Sequence, residues 1–318
     1  MKKTLKSRIL EIDGDAQRQY IDAKAVFTAL ESANKGMAEV RGGMVWRTMG
    51  TTDYLVRTSA GSGQKGLGPR SEQTEAIYKN FTERKERART RVVELRDALI
   101  RHQRMNKALH VGRAPDLLVK LLNRLAKSGI SDYFTVIGTH ALYAYESAAG
   151  ARFMIPAAMT TRDVDLLWDV RRRLSFVTQM ESLGTSFLGL LRKVDPSFEI
   201  RDDQHFTAVN NDGFEIDIIR REKTGDDPHP IRLTDNEDEF FALEARRAGV
   251  FLDGVKFSAM IVSSTGRMAR MNTISPGVFA EFKRWLAEQA DRDPIKRRRD
   301  LLQAELVEEL AREYFPNI

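Results

Sequence analysis

Two short runs of alternating acidic and apolar residues constrain this chain more than any other feature: Thr161-Arg-Asp163-Val-Asp165-Leu-Leu-Trp and Phe214-Glu215-Ile-Asp217-Ile-Ile. Strand side chains point alternately to the two faces, so Asp163 and Asp165 share one face while Val164 and Leu166 enter a core. The second run repeats the arrangement, with Ile216 and Ile218 inward and Asp217 on the side of Glu215. Like charges held this close repel one another and strain the strand unless a cation stands between them, and carboxylate oxygens suit a hard divalent ion. Asp163, Asp165 and Asp217 are therefore expected to ligate Mg²⁺ or Mn²⁺ and to serve phosphoryl transfer, in which positioning and charge neutralisation carry most of the catalysis. The plain alternative is an acidic, half-solvated sheet face that only keeps the protein soluble.

A chain of 318 residues predicts about two domains. With 42% hydrophobic and 30% charged residues it reads as globular, and no apolar run approaches the ~18 residues of a membrane span. Asp13 and Asp15 interrupt any signal-like apolar stretch behind the basic start, so the expected compartment is the cytoplasm. The absence of cysteine excludes disulfides, thiol nucleophiles and cysteine-ligated zinc, and the five histidines have no zinc-site spacing. The net charge of +6 favours an anionic partner such as nucleotide or RNA.

The patterning divides the chain into an N-terminal helical region with an inserted β-hairpin (1–112), a central α/β core (113–262) and a C-terminal helical region (263–318), an α+β protein overall. In the first region long charged helices are expected over Ala16–Glu39 and Glu72–Leu109. They flank a hairpin around Gly50-Thr-Thr-Asp and a loop from Ser59 to Arg70. Within that loop Gly61-Ser-Gly63-Gln-Lys-Gly66 matches a dinucleotide-binding spacing but lacks the surrounding βαβ unit, so a lid or acceptor-binding element is the better reading. In the core, Val136-Ile-Gly138-Thr139-His140 joins a strand to an Ala-rich helix. Free N–H groups at such a helix start attract anions, which makes Gly138 and Thr139 candidates for gripping phosphates, with helix capping by Thr139 as the structural alternative.

A strand ending in glycine and a hydroxyl residue, then hydrophobic-Asp-hydrophobic-Asp, then a later strand with a third Asp, resembles the polymerase-β-type nucleotidyltransferase superfamily. Trp46-Arg, Tyr54-Leu-Val-Arg57, Gln64-Lys-Gly-Leu-Gly-Pro-Arg70-Ser, Gly138-Thr-His-Ala-Leu-Tyr-Ala-Tyr-Glu146 and the Asp163–Asp165 run are similar to a bacterial nucleotidyltransferase-fold family of uncharacterised substrate, over about residues 42 to 310. The resemblance implies a mixed sheet flanked by helices and an NTP donor. It also implies phosphate contacts from Gly138 and Thr139, metal ligation by Asp163, Asp165 and Asp217, and a base role for Asp217. Two departures stand out: Thr139 replaces the usual serine, and the longer Gly138-to-Asp163 spacing predicts an inserted loop over Ala149–Thr160 whose Arg152 approaches the site.

A triphosphate needs further cations. The resemblance points to Lys283, on the helix of Val278, Phe279, Phe282, Trp285 and Leu286, against the alternative of a solvated lysine. Arg162 points to the opposite strand face, Arg171-Arg-Arg173 opposes a helix dipole and hints at a ligand, and Lys296-Arg-Arg-Arg299 reads as a solvated face. The function expected is metal-dependent transfer of a nucleoside monophosphate from an NTP to a hydroxyl of RNA, a protein or a small molecule. A non-catalytic nucleotide- or RNA-binding module of a toxin–antitoxin or defence system is the alternative, and the sequence leaves the oligomeric state open.

Overall fold

The computed structural model describes residues 8–59, 63–225, 227 and 229–316. In chain order, β1 (Ile9–Glu11) precedes the long helix α1 (Gly14–Glu39), and β2 (Gly43–Met49), β3 (Thr52–Thr58), β4 (Gln64–Pro69) and α2 (Glu72–Ala108) follow. Next come α3 (Asp116–Lys127), β5 (Phe134–Ile137), α4 (Ala141–Ala149), β6 (Ala151–Phe153), α5 (Pro156–Met159) and β7 (Asp163–Trp168). The chain continues through α6 (Arg173–Leu183), α7 (Phe187–Arg192), β8 (Glu199–Arg201), β9 (Gln204–Val209) and β10 (Glu215–Arg221). It ends with β11 (Leu243–Ala245), α8 (Ala248–Asp253), β12 (Lys256–Val262), β13 (Met268–Ile274), α9 (Pro276–Glu288) and α10 (Pro294–Tyr314). These elements fall into two units, Arg18–Asn106 and Met1–Gln17 with Lys107–Ile318.

In the unit Arg18–Asn106, β2, β3 and β4 form an antiparallel sheet. The hairpin turns at Gly50, whose φ of +65° suits glycine. Arg57 lies 3.9 Å from the Phe81 ring centroid and Trp46 sits 5.8 Å from Tyr78, so α2 covers one sheet face. The two helices are tied where Gln19 Nε2 donates to Asn106 Oδ1 at 2.9 Å. The expected loop from Ser59 to Arg70 is corrected: Gln64–Pro69 is the third strand, and Gly61 and Ser62 lie outside the described residues. Its pairing is through the backbone, while Gln64, Lys65, Gly66 and Gly68 offer no apolar alternation to read.

The other unit is built on a mixed sheet in the order β12-β13-β5-β7-β10-β9-β8, with β11 beside β10, flanked by helices. Helix α3 buries Leu118, Val119, Leu121, Leu122 and Leu125 on one stripe, as its 3.6-residue period dictates. Strand β13 was not expected from the sequence. It lies inside the sheet between β12 and β5 and is buried on both faces, so Met268-Ala-Arg-Met-Asn-Thr-Ile shows no clean alternation. The anticipated division at residue 263 falls in the turn between β12 and β13. The stretch Ala149–Thr160 is not a plain inserted loop. It carries α5 and β6, β6 pairs with β1, and Arg152 donates to the carbonyl of His110.

Candidate active site

Strands β7 and β10 run side by side and parallel, with Asp165 opposite Asp217 and Asp163 opposite Glu215. Neighbouring strands stand about 4.8 Å apart, so four carboxylates crowd one end of a two-strand face. Glu215 has a cation, Arg201 Nη1 at 3.0 Å. Among the described residues Asp163, Asp165 and Asp217 have no ion pair; the Thr161 hydroxyl donates to Asp163, and the Thr207 hydroxyl donates to Asp217 Oδ1 at 2.6 Å. Burial, reinforced by the charges of Asp163 and Asp217, pushes the Asp165 carboxyl up to about 7. Burial also raises Asp217, and the nearby charges of Asp163 and Glu215 add to it.

Strand β5 runs antiparallel to β7 and brings Ile137 opposite Asp165, so the chain leaves β5 at Gly138 directly beside that aspartate. Gly138 has φ +70°, and a Cβ there would stand 2.1 Å from Asp165 Oδ2. Both facts require glycine: the backbone conformation is left-handed, and the carboxylate occupies the space of a side chain. Thr139 is buried and does not cap α4. Its Oγ1 accepts from Gln303 Nε2 at 3.0 Å, which leaves the hydroxyl hydrogen for another acceptor. His140 is a core histidine whose burial holds it down at about 4, hence neutral, with its ring against Tyr143 and Phe214.

Lys283 is no solvated lysine. It is 4% exposed, and its Nζ donates to Asp300 Oδ1 at 2.8 Å, while Arg292 Nε binds Asp300 Oδ2 at 2.8 Å. Burial lowers its pKa, against the charges of Asp300 and Asp165. Lys283 and Arg299 in turn are the cations that draw Asp165 downward, so both act electrostatically on the carboxylate cluster.

The solvated reading of Lys296–Arg299 is corrected at two positions. Arg297 and Arg299 are half-buried, and Arg299 Nη1 donates to Thr160 O at 3.2 Å. Gln303, one turn on, is fully buried and also donates to Ala158 O at 2.6 Å. Sequence reasoning missed both residues. The available signal was their i, i+4 spacing on the side that continues into the buried Val307 and Leu310.

The other basic candidates are engaged elsewhere. Arg162 is exposed and reaches Asp212 O at 3.4 Å. Arg171 is held by Asp169 at 2.8 Å and Asp253 at 2.6 Å, which relieves the conflict at the helix start without any ligand.

Among the described residues no three His, Asp or Glu side chains converge as a finished metal cage would. What Asp163, Asp165 and Asp217 supply is an all-oxygen donor set on one face with an uncompensated negative charge, which fits a hard divalent ion.

A family model described as Nucleotidyltransferase matches residues 116–317, well over half of the chain. The chain belongs to that nucleotidyltransferase family. The matched span contains Gly138, Thr139, Asp163, Asp165, Asp217, Lys283, Arg299 and Gln303, and it leaves the unit Arg18–Asn106 outside. No curated protein and no solved structure matches the nucleotidyltransferase chain. Among its described residues no helix is long and apolar enough to cross a membrane.

Proposed function

We propose that this family member, on a polymerase-β-type fold, moves a nucleoside monophosphate from an NTP to a hydroxyl of its acceptor, with Mg²⁺ or Mn²⁺ held by Asp163, Asp165 and Asp217. The observation that carries this reading is Asp165, set between two like charges beside Gly138 and pushed up to about 7, a charge deficit that substrate-bound cation would relieve. A divalent ion bound there supplies Lewis-acid neutralisation of the phosphate oxygens. The acceptor oxygen attacks the α-phosphorus, the new P–O bond forms as the bond to pyrophosphate breaks, and the hydroxyl proton passes to Asp217. Burial and the charges of Asp163 and Glu215 make Asp217 a better base than an ordinary aspartate. Thr139, its Oγ1 already accepting from Gln303, has its hydroxyl hydrogen free for a phosphate oxygen, and Gly138 leaves the backbone open to it. Lys283 and Arg299, whose charges act on Asp165, would also offset the negative charge that develops on the leaving pyrophosphate.

The test is to incubate the protein and its Asp163→Ala variant with Mg²⁺ and each of the four α-labelled NTPs, with and without cellular RNA, and to follow label into RNA, protein and small products. Labelling by the wild type and none by the variant is expected. NTP binding without transfer in either protein would replace this reading with that of a nucleotide-binding module.

A further inference from the structure

Residues 18–106 hold 17 Lys and Arg against 10 Asp and Glu, an excess of 7, whereas the whole chain carries +6, so the rest of the molecule has a net charge of −1. The basic character of this protein is therefore the property of the unit that the family match does not cover. Among the described residues Arg70, bonded to Asp53 and Glu75, is the one cation of this unit in an ion pair. Glu83 and Arg87 stand at the i, i+4 spacing that favours pairing on a helix, yet they do not pair.

The charges on α2 also crowd its outer side. Its buried residues are Thr74, Val92 and Asn106. At about 100° per residue, Glu72, Glu75, Glu83, Glu86, Glu94 and Asp97 all fall on the side turned away from those three. Arg84, Arg87 and Arg91, at i, i+3 and i+7, run along one edge of that acidic stripe, with Arg87 next to Glu83 and Glu94, and all three are exposed; Lys79, Arg101 and Arg104 fall among the acids. Acids and bases share the outer side of α2, yet among the described residues no Lys or Arg of this helix is in an ion pair, and the unit's excess of seven positive charges favours an outside anion. In the adjoining part of the unit, Trp46 and Tyr78 flank an open cleft of about 470 Å³ that Arg70 and Lys79 line together with Glu72 and Glu75. Aromatic faces beside guanidinium and ammonium groups offer stacking for bases as well as contacts for phosphates.

We infer that the unit Arg18–Asn106 binds a single strand of nucleic acid, with Arg84, Arg87 and Arg91 contacting its phosphates. That the strand bound there is also the acceptor rests on the transfer reading given above; the binding itself does not.

The experiment uses the full chain, with anisotropy of labelled oligouridylate and oligothymidylate measured over a range of salt. Each phosphate contact on a single strand contributes about 0.7 to the slope of log K against log salt, so Arg84→Gln/Arg87→Gln/Arg91→Gln should lower the slope by about 2. A control triple, Lys127→Gln/Lys193→Gln/Arg312→Gln, removes the same charge from exposed positions of the other unit and should leave the slope unchanged. Glutamine sustains the helix, and thermal melts of both triples check folding. Absence of salt-sensitive binding to both strands, or an equal loss in the control, overturns the inference. Asp163→Ala separates the two readings: it keeps the salt slope in either case. If the wild type binds but never transfers, the transfer reading alone fails.

Discussion

The two units of this molecule treat their charges in opposite ways. In the unit that carries the carboxylate site, cations are tied internally: Arg113 to Glu146, Arg171 to Asp169 and Asp253, Arg220 to Glu244, and Lys283 to Asp300. Several of these groups are buried, and a buried charge is tolerated only with a partner. Asp163, Asp165 and Asp217 differ: among the described residues none of them is in an ion pair, and these like charges share one face. In Arg18–Asn106 the situation is reversed, with exposed arginines left unneutralised along α2. Like charge that a fold gathers and leaves without a counter-ion marks where something charged from outside belongs. On one side that is a cation with a triphosphate, on the other a phosphate backbone.

The buried cations of the carboxylate-bearing unit depend on their partners. Asp300→Asn leaves Lys283 and Arg292 without their shared anion inside the protein, and a loss of about 3–5 kcal/mol in urea unfolding is expected. A loss below about 1 kcal/mol would mean that water already solvates this pair and that pinning is not what distinguishes the unit.

The unpaired carboxylates should behave in the opposite sense. In the folded protein Asp165 titrates at about 7, above the 3.8 of a free aspartate. Between those values the folded state retains a proton that the unfolded chain has released, so this group's contribution to stability falls as pH rises through the window and the penalty is complete above it. Asp165→Asn is therefore expected to stabilise the metal-free protein by roughly 4 kcal/mol at pH 8 and to do almost nothing at pH 4, read by thermal melts at the two pH values. An equal gain at both would show that the effect is not one of charge.

The smallest effect belongs to the other unit. Arg89→Gln, at an exposed position without an ion pair, should change unfolding free energy by no more than about 0.5 kcal/mol. A larger loss would show that the arginines of α2 have a structural duty and would weaken the contrast.

Much of this protein is legible without coordinates, for reasons visible in particular residues. Strands β7 and β10 announce themselves because one face is apolar and the other acidic, so Val164, Leu166, Ile216 and Ile218 had to be inward. The period of α3 and the turn at Gly50 are equally local signals. Strand β13 was hidden because burial on both faces erases alternation, and β4 because its pairing is through the backbone of a glycine-rich segment. At the site, the shared face of Asp163 and Asp165 follows from strand geometry alone. That Asp217 stands opposite Asp165 and not opposite Asp163 is a matter of register, which depends on how strands 52 positions apart in the chain pair.

Residue order alone dictates the set of surfaces: which residues are buried, which acids stand together, and which segment is helical and basic. Those properties come from 2.0- and 3.6-residue periods and from side-chain chemistry, which are fixed by neighbours along the chain. The tertiary structure alone decided which charges would be answered. Lys283 and Arg299 look alike as cations on amphipathic helices, yet α9 and α10 bury the first against Asp300 and bring both to bear on Asp165. The free energy of a charge depends on its depth and on partners from distant segments, and no local period encodes either.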